Sequence, residues 1–326
     1  MKHLRIARPF WWQRVARALA LGVGGAVFVC LGFQPAEAAA ACPPPLPAPS
    51  LRGAAVDHGF LWRITRDGHS SWLFGTLHVG KPAWARFGPK VTAALQASDT
   101  LALELDPGDP GLTQALADPG PPPVLPAALK ERLQRAFDRA CVDRQSLAGL
   151  HPLLQVTSLS VLEARWLGLD PAYAQEHLLL AAARAAGQPV VALETAALQK
   201  AALLPETPAE ALTSLAQSLT ELEDRSGRRV LDRMVRAWAQ GDLATLADFE
   251  RWCECAVTAE DRASMRRLND ERNPALADGI EARHKAGQRV FAAVGALHMT
   301  GAAGLPLLLA RRGFEVERIA FNPASP

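Results

Sequence analysis

The sequence predicts an α/β (α+β) fold, and three observations carry that prediction. Short apolar runs cut off by glycine occur near both ends of the chain, at Trp72-Leu73-Phe74-Gly75 and at Val290-Phe291-Ala292-Ala293-Val294-Gly295. Runs this short, built of β-branched, aromatic or small residues, read as buried strands. Between them lies a long Ala/Leu-rich middle with 3.6-residue periodicity, and the chain closes as strand, helix and strand.

Residues 1–38 are set aside from the fold. Lys2, Arg5, Arg8, Arg14 and Arg17 precede an apolar stretch from Ala18 to Phe33, and Ala36-Glu37-Ala38 fits a small-x-small cleavage site. This is the pattern of a secretory signal peptide, so a periplasmic or secreted location is expected. The competing reading is an uncleaved anchor, the apolar run being just short of a span of about 20 residues. Lipoprotein processing at Cys42 lacks the large aliphatic residue expected three positions earlier.

Cleavage after Ala38 removes five basic residues and Glu37, leaving 30 basic against 32 acidic, formally −2. No nucleic-acid partner and no stable membrane span after cleavage are expected from that balance. Four cysteines remain: Cys42, Cys141, Cys253 and Cys255. An even number in an exported chain suggests disulfides, with three pairings possible. Cys253-Glu254-Cys255 is too tight for a C-x₂₋₄-C zinc knuckle and reads as structural. Cys42–Cys141 would then be a long-range staple.

In chain order, residues 39–56 form an Ala/Pro-rich arm and residues 57–326 the folded domain. Residues 61–65 and 71–74 flank Arg66-Asp67-Gly68 and read as a hairpin. A helix follows Pro89. Residues 100–106 alternate, with Leu101, Leu103 and Leu105 on one face and Ala102, Glu104 and Asp106 on the other. Pro and Gly crowd residues 107–126, which read as a connection without lasting regular structure. Residues 127–187 are helical, with breaks at Pro152 and Pro171. Residues 188–194 are a second buried-strand candidate ending at Glu194, and residues 195–247 are helical again. Residues 259–270 make a charged helix, and Asn273-Pro274 starts the next one, which runs to Lys285. Gly301 and Gly304 open a Leu-rich helix that stops at Gly313, and residues 314–321 alternate as a last strand.

Two phrases have the same form, Gly75-Thr76-Leu77-His78 and Gly295-Ala296-Leu297-His298: an apolar strand, a glycine, two spacers and a histidine at the exit. Strand C-termini facing helix N-termini are where open α/β sheets bind ligands. Two imidazoles from neighbouring strands with a nearby carboxylate make the usual ligand set of a hydrolytic metal site. Glu104 is the best-placed carboxylate, with Asp106 one pleat beyond. On spacing alone the alternative stands, namely that each histidine is a satisfied polar residue at a strand end. Glu194 either faces the site or caps the following helix. Arg272 either clamps a substrate carboxylate or makes a structural ion pair, and Asn273 is an N-cap first and a ligand contact second. His58, His69, His151, His177 and His284 are expected to be exposed or structural. No G-x-S-x-G elbow, Walker A loop or dinucleotide fingerprint is present.

These residues bear a family resemblance. GTLH, LELD some 25 positions on, Leu167-Gly168-Leu169-Asp170, GQPVVALET with Gln199, Glu271-Arg272-Asn273 and VGALHMTGAAGLPLLLARRGFEVERI resemble the TraB/PrgY/GumN proteins, which include the Tiki metalloproteases. The resemblance implies a central mixed sheet flanked by helices, similar to erythromycin-esterase and ChaN-like folds, with a helical insertion over about residues 127–250. It implies a divalent-metal-dependent peptidase in which His78, His298 and Glu104 are catalytic and hold Mn²⁺, Co²⁺ or Zn²⁺. Arg272 and Asn273 match a further polar pair. Bacterial members of the GumN type are mostly without an assigned reaction. The leading expectation is thus an exported metal-dependent hydrolase, first of all a peptidase, acting on a peptide or envelope-derived substrate with Arg272, Asn273, Glu194 and Asp106 near it. The alternative is a non-catalytic periplasmic binding protein using the same cleft. Esterase-like action on a small molecule rests on fold analogy alone.

Overall fold

The computed structural model describes residues 42–48, 54–117 and 124–321. The signal-peptide segment 1–38 lies outside the described residues. Six strands form one mixed sheet: β1 (Phe60–Arg66), β2 (His69–Thr76), β3 (Thr100–Leu103), β4 (Val190–Ala192), β5 (Val290–Gly295) and β6 (Glu315–Ile319), in the spatial order β4-β3-β5-β2-β1-β6. The chain is an α/β protein, as its pattern predicts.

The hairpin forms where Asp67 and Gly68 take positive φ, 53° and 80°, and β1 pairs antiparallel with β2 and β6. The other pairs, β2 with β5, β5 with β3 and β3 with β4, are parallel. Four neighbouring strands therefore end at one edge of the sheet. The register is tight there, with Thr76 opposite Gly295 and Leu103 opposite both Ala293 and Ala192.

The helices are α1 (Pro89–Gln96), α2 (Pro110–Ala117), α3 (Ala127–Ala140), α4 (Pro152–Leu162), α5 (Gln175–Ala185), α6 (Ala196–Leu203), α7 (Pro208–Asp224), α8 (Ser226–Ala239), α9 (Leu243–Ala247), α10 (Phe249–Trp252), α11 (Ala259–Leu268), α12 (Asn273–Lys285) and α13 (Leu305–Arg311). Their boundaries follow local chemistry. Thr195, Thr207 and Asp242 cap α6, α7 and α9 through their side chains, and Thr258 and Asp261 form a capping box on α11. Gly313, at φ 88°, follows α13 as expected. No helix among the described residues is long and apolar enough to cross a membrane.

The main core is built on the sheet, where Leu101, Phe291, Phe74, Ile64 and Trp238 are buried. A second apolar cluster joins α3, α4 and α7 through Phe137, Val156, Leu159, Leu215 and Leu219. Cys42 pairs with Cys141 at a Cα–Cα distance of 5.7 Å, and Cys253 pairs with Cys255 at 5.1 Å. Both pairings fit the reading of the cysteines, and disulfides belong to an oxidising compartment.

Three expectations are corrected. The third strand stops at Leu103, short of Asp106, and both its faces are buried, so the alternation of residues 100–106 does not sort core from solvent. Residues 107–126 do hold one helix, α2, which Pro110 opens at a position where proline is tolerated. β4 is a half-exposed edge strand of three residues, and no strand among the described residues pairs with its far side. His151 and His284 are structural, within the expectation, and both are buried: His284 stacks on His69 at 3.8 Å and bonds Ser71 Oγ at 2.9 Å.

Candidate functional site

Each of the four parallel strands delivers a polar side chain just past its C-terminal end. Glu104 follows β3 directly, Glu194 stands two residues after β4, His298 three after β5 and His78 two after β2. Strand order therefore sets them along one edge as Glu194, Glu104, His298 and His78. Leu193 and Glu194 continue the pairing beyond β4, their N–H groups donating to Leu103 O (2.8 Å) and Glu104 O (3.0 Å).

Glu104 is the best-held group. Its Oε1 accepts from Gly295 N at 2.7 Å, and Oε2 accepts from Arg272 Nη2 at 2.6 Å and from Gln199 Nε2 at 3.3 Å. Glycine at position 295 allows this approach, because a Cβ there would lie 3.3 Å from Oε1 and 3.5 Å from His298 Cδ2. Burial works to raise the Glu104 carboxyl, but the neighbouring His298, His78 and Arg272 charges and the Gly295 N–H outweigh it and hold it at about 2. The group is an anion throughout the neutral range.

Arg272 joins the two carboxylates. Its Nε lies 3.0 and 3.2 Å from the Glu194 oxygens, its Nη2 2.9 Å from Glu194 Oε2, and its Nη1 donates to Leu268 O at 2.9 Å. The fork geometry of guanidinium is what lets one side chain bind two carboxylates. Burial opposes the charge of Arg272, and Glu104 and Glu194 more than restore it. Burial raises Glu194, opposed by Arg272. All three kinds of Arg272 nitrogen are thus engaged within the protein, and the arginine braces Glu104 against Glu194. Glu194 faces the site, and the helix cap beside it is Thr195.

His298 sits in a 3₁₀ turn, Ala296–Met299, with 4% of its side chain exposed. Its Nδ1 lies 2.7 Å from Asn273 Oδ1, while Asn273 Nδ2 donates to Ala303 O at 2.9 Å. The amide oxygen therefore takes the imidazole's Nδ1–H, and Nε2 carries the lone pair. That Nε2 is 3.4 Å from Arg272 Nη1 and 3.7 Å from Glu104 Oε1. Burial first, with Arg272 and His78 adding and Glu104 opposing, lowers His298 to about 4, so it is neutral at pH 7. Asn273 is completely buried, at the first position of α12, with Arg272 as the capping residue. Its Oδ1 orients His298.

His78 is 65% exposed and pairs through Nδ1 with Glu176 Oε1 at 3.1 Å. Glu176 raises it to about 9, a pull that surrounding water screens in part. Asp106 accepts from Gly108 N at 2.8 Å and lies 3.9 Å from Arg184 Nη2. The helix after Gly301 begins only at Leu305 and has seven residues, which makes it a poor anion site. Sequence reasoning did not find Glu176. An acidic residue in a first helical turn is commonplace, and nothing local links it to a histidine 98 positions earlier.

The donor set can be compared with the divalent metal that the resemblance implies. Both GxxH histidines are held through Nδ1 by a side-chain oxygen, which leaves Nε2 as the nitrogen a metal would use, on His78 by displacing the proton that Glu176 favours. Glu104 adds carboxylate oxygens, and Glu176 Oε2 is buried without a hydrogen-bond partner. The donor chemistry fits a divalent ion. Among the described residues no three His, Cys, Asp or Glu are gathered closely enough to enclose one, and Arg272 stands against both Glu104 and His298. For an ion to use His298 Nε2, Arg272 must yield that contact.

Comparison with known proteins places these observations. The TraB/PrgY/gumN family model matches residues 60–318, from β1 to the last strand. The Uncharacterized protein YbaP of Escherichia coli (strain K12) is 28% identical over 277 residues, covering 76% of this chain and 96% of its own. The protein of the same description from Shigella flexneri matches to the same extent. No solved structure matches, so the likeness to erythromycin-esterase and ChaN-like folds stays an expectation.

Proposed function

Because this chain belongs to the TraB/PrgY/gumN family, we propose that it is an exported, metal-dependent hydrolase working at the Glu104–His298–His78 edge, with a peptide bond as the leading target. The observation that carries the proposal is the shared fixation of the two GxxH histidines through Nδ1, by Asn273 and by Glu176. His78, His298 and Glu104 would hold the ion, with Mn²⁺, Co²⁺ and Zn²⁺ as candidates. When bound, a divalent ion supplies Lewis acidity to a carbonyl and makes water nucleophilic near neutral pH.

The chain's own residues divide the remaining work. Held as an anion throughout the neutral range, Glu104 would serve as a ligand to the ion or as the base for its bound water. Gly295 N and Arg272 fix its two oxygens in place. Asn273 keeps a proton on His298 Nδ1 and therefore off Nε2. Glu194 compensates the Arg272 charge, so that the brace does not cancel Glu104. Export is supported by the pattern of residues 1–38 and by the two disulfides.

The test incubates the mature protein with Mn²⁺, Co²⁺ or Zn²⁺ and a fluorogenic peptide library. Cleavage that disappears with chelator and in His298→Ala supports the proposal. Saturable peptide binding with no cleavage under every metal would instead favour the binding-protein reading.

A further inference from the structure

The two histidines are oriented in different ways. Packing fixes His298, whereas His78 stands in the loop after β2 with most of its side chain in water. Only a specific contact can hold such a ring. That contact is Glu176 in the first turn of α5, whose Oε1 accepts from Thr76 Oγ1 at 2.5 Å and faces His78 Nδ1 at 3.1 Å.

The chain on either side is stitched so that this contact is reproducible. Gly80 and Asp170 form an isolated antiparallel bridge, and Leu77 N donates to Gln175 Oε1 at 2.7 Å while Gln175 N donates to Leu77 O at 3.4 Å. Position 80 requires glycine, because a Cβ there would lie 2.1 Å from Tyr173 O. The loop carrying His78 and the start of α5 are therefore registered to one another.

Glu176 Oε2, meanwhile, is buried with no hydrogen-bond partner. A buried acceptor without a partner costs stability, so stability alone does not account for the carboxylate at this position.

We infer that Glu176 is the positioning residue of His78: it accepts from Nδ1–H and leaves Nε2 as the nitrogen from which a metal would displace the proton. The inference rests on the proposed metal site, since it names what orients one of that site's ligands.

The test uses mature protein with ¹⁵N-labelled histidine, free of metal and at one pH, with His78→Ala to assign the ring signals. Glu176→Ala is expected to move the His78 Nδ1 resonance and leave that of His298 in place, with partial recovery in Glu176→Gln, whose amide oxygen still accepts. Because the Glu176 pairing also stabilises the fold through the raised His78 value, a modest fall in melting temperature is expected in Glu176→Ala, and both variants are compared folded, by circular dichroism. Affinity for Mn²⁺ alone is expected to drop 10- to 100-fold in Glu176→Ala. Unmoved His78 signals overturn the inference, as does a Mn²⁺ affinity in Glu176→Ala equal to that of the wild type. If the wild type takes up no Mn²⁺, the metal reading fails by itself and the ring spectra alone decide the role of Glu176.

Discussion

Asn273 Oδ1 lies 2.7 Å from His298 Nδ1, and both side chains are almost wholly withdrawn from solvent. The pair fixes which nitrogen of His298 is protonated. Asn273→Ala removes the acceptor for Nδ1–H and the donor to Ala303 O together. A loss of about 1–3 kcal/mol in stability is expected, with metal affinity falling about 10- to 100-fold. Denaturant unfolding beside metal titration measures both.

Arg272 links two buried carboxylates, so its removal leaves Glu104 and Glu194 without their cation. Arg272→Ala is expected to destabilise the fold by about 3–5 kcal/mol, and Arg272→Lys to restore little because a point ammonium cannot reproduce the fork. Urea unfolding of both variants checks this. A lysine variant as stable as the wild type would contradict the bracing role.

Stability of the metal-free protein is expected to fall on the acid side of neutrality. The His298 imidazole is held at about 4 when folded, against 6.5 ordinarily, so between those pH values the unfolded chain binds a proton that the folded chain does not. Stability therefore declines as pH drops from about 6.5 to about 4, by about 3 kcal/mol from this group. Glu104, lowered from 4.5 to about 2, adds a further decline below pH 4.5. His78 acts oppositely: its raised value adds stability below pH 6.5 that is lost as pH climbs toward about 9. Melting curves in chelator across pH 4–9 should show a maximum near neutrality, and His298→Gln should flatten the slope between 6.5 and 4.

Gly295 has ordinary backbone torsions, so alanine is tolerated there by the chain but presses on Glu104 Oε1. Gly295→Ala is expected to change stability by less than about 1 kcal/mol. Metal affinity should nonetheless fall. Equal affinity in the variant and wild type would show that the close approach of backbone to Glu104 does not matter.

The Cys42–Cys141 bond closes a loop across 99 positions. Replacing both cysteines by serine is expected to lower stability by about 2–5 kcal/mol, measured by denaturant unfolding without reductant.

Much of the site was legible because strand ends are marked locally. The glycines at 75 and 295, each after an apolar run, announced the exits that carry His78 and His298, and Glu104 followed its strand just as visibly. What was not legible depends on sheet order and helix placement. β5 inserts between β3 and β2, and that insertion brings Gly295 N onto Glu104, 191 positions away. Asn273 looked like a helix cap because Asn before Pro usually is one. Its actual role depends on how α12 packs against the turn holding His298. Arg272 carried two readings at the sequence level, and only the approach of two strand ends from one side made it a brace. The alternation of residues 100–106 misled for a related reason: a strand covered on both faces has no solvent side for the pattern to report.

The central claim is that His78 and His298 belong to one metal site, and metal content tests it most directly. Elemental analysis of the purified mature protein, loaded with Mn²⁺, Co²⁺ or Zn²⁺ and freed of excess, should give close to one ion per chain. His78→Ala and His298→Ala, folded by circular dichroism, should each lose it. Unchanged stoichiometry in both variants, or no metal in the wild type under any loading, would contradict the account.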